Sequence, residues 1–139
     1  MRSSYFNLPV VVMFLALAGC KGSSSSASSP DDLIGDYGVK TPQGVTPVLR
    51  VEGSGIVYSF SEYQGGKWVS TGRDVQPMNQ ADFNKLFGVG ASVSFKGLES
   101  VGGGAVVQVP AGWHKDRLAT QTGYLVVLSR GAMEAVKIQ

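Results

Sequence analysis

The chain has little of what most chemistry needs. Among its 139 residues there is one cysteine, Cys20, and one histidine, His114. A single cysteine excludes an internal disulfide, so stability must come from packing. A lone histidine without a second histidine or a spare thiol lacks the donor set of a zinc site. Neither G-x-S-x-G nor S-x-x-K occurs, so the usual settings of an activated serine are missing. Glu52, Glu62, Asp74, Asp82, Glu99, Asp116 and Glu134 stand singly on different segments, and no carboxylate pair is fixed by spacing. The formal net charge is only +2, and the lysines and arginines are interleaved with acids. No basic stripe forms, which argues against nucleic acid as a partner. There is no internal repeat of fixed period. On these grounds the chain is not expected to be an enzyme or to need a cofactor or metal of its own.

Long apolar runs are also missing, with one informative near-exception. Arg2 supplies a positive start, and Leu8 to Ala18 form an apolar stretch of about eleven residues. That length suits the roughly 7–15 residues of a signal-peptide core and falls short of the roughly 20 that span a bilayer. It ends in Leu17-Ala18-Gly19-Cys20, an apolar residue, two small ones and the cysteine. These four residues resemble the lipobox of bacterial lipoproteins. The resemblance implies that residues 1–19 are a leader cut off before Cys20. It further implies that Cys20 carries a diacylglycerol on its thiol and an acyl chain on its new amino terminus. The residue after Cys20 is Lys21 and not aspartate, which in lipoproteins of the enterobacterial type implies export to the outer membrane; the domain is expected to face the periplasm, although some lipoproteins are flipped to the cell surface. Membrane attachment would then rest on acyl chains alone.

Residues 20–30 read as a serine-rich tether with nothing to bury. Asp31 and Asp32 close it and are expected to keep its end solvated. Residues 31–139 then form one domain, mainly β, with one short helix. Its expected strands are Leu33–Val39, Pro47–Glu52, Ile56–Tyr63, Lys67–Thr71, Ala91–Phe95, Gly104–Val109, Gly123–Ser129 and Ala132–Ile138. Turns fall at Glu52-Gly53-Ser54-Gly55, Gln64-Gly65-Gly66 and Ser129-Arg130-Gly131, where glycine reaches positive φ cheaply. Ile56, Tyr58, Phe60 and Glu62 share one face of their strand, and Val57, Ser59, Ser61 and Tyr63 the other. Leu125-Val126-Val127-Leu128 is apolar throughout, as in a strand covered on both sides. The 19 glycines favour a strongly curved sheet or a small antiparallel barrel.

The helix signal begins at Asn79, an N-cap with Asp82 at N3, and stops at Gly88. Met78 can pack on Phe83 as a hydrophobic staple. Phe83, Leu86 and Phe87 share a face, which is expected to cover an open end of the β structure. Gly102-Gly103-Gly104 precedes a strand, not a helix, and therefore reads as a turn and not a phosphate cradle.

Two groups of residues are candidates for binding. One is the polar loop Ala111–Arg117, whose tip would be Trp113 and His114. The other is an aromatic patch of Tyr58, Tyr63 and Trp68, joined by Tyr37 and Trp113 if they lie on the same side. The structural reading weighs more in both cases: the aromatics fill the core or stack across strands, and the loop is solvent-exposed with Trp113 folded back onto the core. The expected role is a non-catalytic module that binds a protein in the envelope. One form of it is an inhibitor or immunity protein against a cell-wall hydrolase or toxin. The alternatives are an accessory component of an envelope or secretion assembly, contacted through edge strands, or a carrier of a small apolar ligand.

Overall fold

The computed structural model describes residues 29–88 and 93–138. The expected leader, lipobox and tether up to residue 28 lie outside the described residues. The described part of the chain is mainly β and closes an eight-stranded antiparallel barrel with one helix. It opens with a one-turn 3₁₀ helix, Pro30–Leu33. Then come β1 (Gly35–Thr41), β2 (Gly44–Ser54), β3 (Val57–Gln64), β4 (Lys67–Ser70) and β5 (Val75–Pro77). After α1 (Gln80–Phe87) follow β6 (Lys96–Ser100), β7 (Ala105–Gln108), β8 (His114–Lys115), β9 (Leu118–Ala119), β10 (Tyr124–Leu128) and β11 (Gly131–Lys137). Neighbours in the wall are β1, β2, β3, β5, β6, β7, β10 and β11, and β11 pairs back onto β1. β8 and β9 form a separate small hairpin.

Alternation along the strands makes the core. Tyr37, Leu49, Val51, Tyr58, Phe60, Leu98, Val106, Val126 and Ala135 converge inside the barrel and are almost wholly buried. A second cluster lies on the outer wall, where Met78, Phe83 and Phe87 meet Ala105, Val107 and Leu125. Leu125 and Val126 thus face opposite sides and are both buried, as their unbroken apolar run requires.

The helix is capped as its sequence predicts. Asn79 accepts from the Asp82 N–H at 2.9 Å, and the Asp82 carboxylate accepts from the Asn79 N–H at 3.3 Å. Its place differs from expectation, because it packs on the side wall over β7 and β10 and not on an end. The reason is the double-sided apolar character of those strands, which leaves a face to be covered. Leu86 departs from the shared face and is 41% exposed.

Other boundaries shift as well. Leu33 belongs to the 3₁₀ helix, and Ile56 to the turn before β3. No strand covers 93–95, the described part of the expected Ala91–Phe95; Val93 and Phe95 pack on the outer cluster instead. The strand falls at Lys96–Ser100, where Gly97 lies under Met78 with room for no Cβ. Gly53 is similarly constrained, since a Cβ there would sit 2.0 Å from the Val57 carbonyl.

In an antiparallel meander successive connections lie at alternate ends. The turns at 42–43, 65–66, 101–104 and 129–130 therefore share one end, here the open end. The 3₁₀ helix and the β2–β3 turn share the other, the closed end. There Tyr37 Oη donates to the Leu33 carbonyl at 2.7 Å, and Leu33 is buried in the barrel. Asp31 accepts from Tyr58 Oη at 2.7 Å and from the Gly55 N–H at 3.0 Å. Asp32 pairs with Lys96. Asp31 and Asp32 are thus ties that fasten a plug, and not merely solvating charges.

Candidate functional site

The outer face of β1–β4 gathers the most distinctive surface side chains. The glycine turn at 65–66 sets the register of β3 and β4, so that Tyr63 lies directly opposite Trp68. Their rings meet edge to face, with centroids 5.1 Å apart. The Arg50 guanidinium lies over the Trp68 ring, 4.5 Å from its centroid. Arg50 also forks onto Asp36, Nε to Oδ1 and Nη2 to Oδ2, both at 2.7 Å. That bidentate hydrogen bond holds the Asp36 carboxyl below its ordinary range against the opposing effect of burial. The guanidinium is therefore fixed in place, with its apolar face on the indole.

The site has a strand edge. Among the described residues β4 pairs only with β3, so its far side carries main-chain groups with no strand partner. Tyr63 is 37% exposed and Val69 on β4 is 38% exposed. Beside this edge is the mouth of the open end. A cavity of about 450 Å³ is lined there by Val39, Val48, Glu62, Leu128, Arg130 and Met133, among others. Glu62 occupies an inward-facing position, two residues beyond Phe60, and receives Gln64 Nε2 at 3.2 Å.

The sequence candidates separate accordingly. Tyr63 and Trp68 come together at the surface. Tyr58 does not join them; it is a buried core residue whose hydroxyl serves the closed end. Tyr37 is likewise buried, with its ring beside Tyr124. Trp113 is half-buried and folds onto the outer cluster, 5.9 Å from Phe87 and 6.2 Å from Phe83. It is no loop tip. His114 is exposed at the start of the β8–β9 hairpin, paired with Ala119. Arg50 and Asp36 went unremarked in the sequence. Alternation with the buried Leu49 and Val51 puts Arg50 on the outer face, but only strand pairing could bring it to Trp68. Among the described residues no three of His, Cys, Asp and Glu converge to hold a metal, and no helix is long and apolar enough to cross a membrane.

The chain matches no known family, no curated protein and no solved structure.

Proposed function

We propose that the protein is a lipid-anchored lipoprotein of the bacterial outer membrane, facing the periplasm, that binds a partner protein without catalysis. Cys20 is the lipidated residue, and the outer face of β1–β4 is the docking surface. The observation that carries this reading is the Tyr63–Trp68–Arg50 cluster standing beside the unpaired edge of β4. An extended segment of the partner adds to β4 through main-chain hydrogen bonds, while the aromatics and the fixed arginine supply the anchoring contacts. Inhibition of a cell-wall hydrolase or toxin and service in an envelope assembly both use such a surface.

The test is site-specific crosslinking in living cells. A photoreactive residue replacing Lys67, at the β4 edge, is expected to give a discrete adduct that Trp68→Ala abolishes. The same group replacing Lys85, on α1, should give none. Adducts from position 114 and none from 67 would transfer the surface to the β8–β9 hairpin. Labelling with an alkyne fatty acid that disappears in Cys20→Ala checks the anchor.

A second reading, a carrier of a small apolar ligand, is favoured by the cavity at the open end. The interior beneath it is filled, so such a ligand would sit in the mouth and not in the barrel. Uptake of a fluorescent lipid probe, blocked by Val48→Trp, is the result it requires.

A further inference from the structure

We infer that the closed end of the barrel faces the membrane, with the hairpin tip Ile56–Val57 inserted in the lipid interface. The inference rests on lipid attachment at Cys20. The two most exposed large apolar side chains among the described residues are Ile56 at 91% and Val57 at 69%. They are adjacent at the closed end: Ile56 stands on the β2–β3 turn and Val57 opens β3. Such side chains lose contact with water only by entering something apolar.

What they enter follows from where the tether arrives. Pro30 stands ten residues after Cys20. Even fully extended, ten residues reach at most roughly 33–36 Å. The tether arrives beside the tip, because Asp31 accepts from the Gly55 N–H at 3.0 Å and from Tyr58 Oη at 2.7 Å. One carboxylate therefore fastens the tip to the 3₁₀ helix Pro30–Leu33, toward which the tether leads. The neighbouring acid is partnered too. Asp32 pairs with Lys96, and its carbonyl accepts from Lys137 Nζ at 2.7 Å. Glu52, opposite Ser59 on β2, and Asp74, next to Val75 across from Tyr58, are further acids near the tip. Acyl chains already retain the protein, so the tip sets orientation and not affinity. With the closed end down, the four turns of the open end point away from the membrane.

The test uses the full mature lipoprotein in vesicles of phosphatidylethanolamine and phosphatidylglycerol. Cys20 is consumed by its lipid, so Ile56→Cys or Val57→Cys takes a spin label selectively. Val101→Cys, in the turn after β6, is the open-end control. At 56 and 57 collisions with oxygen are expected to exceed those with a water-soluble nickel chelate severalfold, and at 101 the order reverses. Nickel-accessible labels at 56 and 57 on vesicle-bound protein would overturn the insertion and leave the anchor standing. An intact mass without acyl chains on Cys20 would overturn the anchor, and the inference with it.

Discussion

At the closed end of the barrel a one-turn helix lies across the staves, whereas at the open end short turns stand around a cavity of about 450 Å³. The closed end is plugged by Leu33, and its ties come from distant parts of the chain: Gly55, Tyr58, Lys96 and Lys137. Among the described residues the open end has nothing comparable. Three of its turns have only two residues at the tip, at 42–43, 65–66 and 129–130, too few to fold inward. A barrel end closes when a segment outside the meander is free to cross it. Here that segment is the 3₁₀ helix Pro30–Leu33, so one short element seals the core and, under the proposed lipid anchor, would also receive the tether.

The largest expected effect lies at the plug. Leu33→Ala should cost about 2–5 kcal/mol, the range for deleting a buried leucine side chain. Urea unfolding of the variant measures it. Met133→Ala, at the half-buried mouth, should cost clearly less. Equal losses would erase the contrast between the ends.

Acid should act unequally on the two ends. The Asp31 carboxyl is held below its ordinary value of 3.8, first by the Tyr58 hydroxyl and then by the Gly55 N–H. A carboxyl depressed in the folded state contributes stability that is full above its unfolded value and is lost as pH falls through the folded one. The closed end is therefore expected to loosen below about pH 4, while neutral and mildly acidic solutions leave it intact. Exchange of the Gly55 amide hydrogen reports this directly, after correction for the intrinsic pH dependence. Protection at Gly55 should fall with acid and become independent of pH in Asp31→Asn. A pH-independent Gly55 in the natural protein would refute the tie.

The sequence made one of these ends legible and hid the other. Glycine pairs and alternation gave the turns at 65–66 and 129–131 and the two-sided strand at Leu125–Leu128, because those signals are local. The plug was unreadable, since Asp31 and Asp32 look like solvating charges until Tyr58 and Lys96 are brought to them by folding. Ala91–Phe95 misled for the opposite reason. Its alternating apolar residues have the period of a strand, yet Val93 and Phe95 serve the outer cluster. The true strand, Lys96–Ser100, shows a single large apolar residue, Leu98, because Met78 covers Gly97. β5 was missed because three residues ending in proline carry almost no strand signal. Of the aromatic patch, alternation alone already set Tyr58 and Tyr63 on opposite faces. Only the register of β3 with β4, and of β2 with β3, could unite Tyr63, Trp68 and Arg50.

The smallest expected effect is at the mouth. Glu62 follows Tyr58 and Phe60 in inward alternation, yet it sits where the wall ends, beside Val39, Val48, Leu128 and Met133. If the mouth is only the frayed rim of a packed core, its carboxylate does nothing for the fold. Glu62→Leu then places methyl groups against apolar walls, and stability should rise by up to about 1 kcal/mol, a little over one buried methylene. The shift in the urea midpoint reads this. Crosslinking from position 67 should be unchanged, because β4 keeps its edge and Trp68 its ring partner. If crosslinking were lost while stability rose, the carboxylate would belong to the recognition surface, and the two ends would differ in purpose as well as in packing.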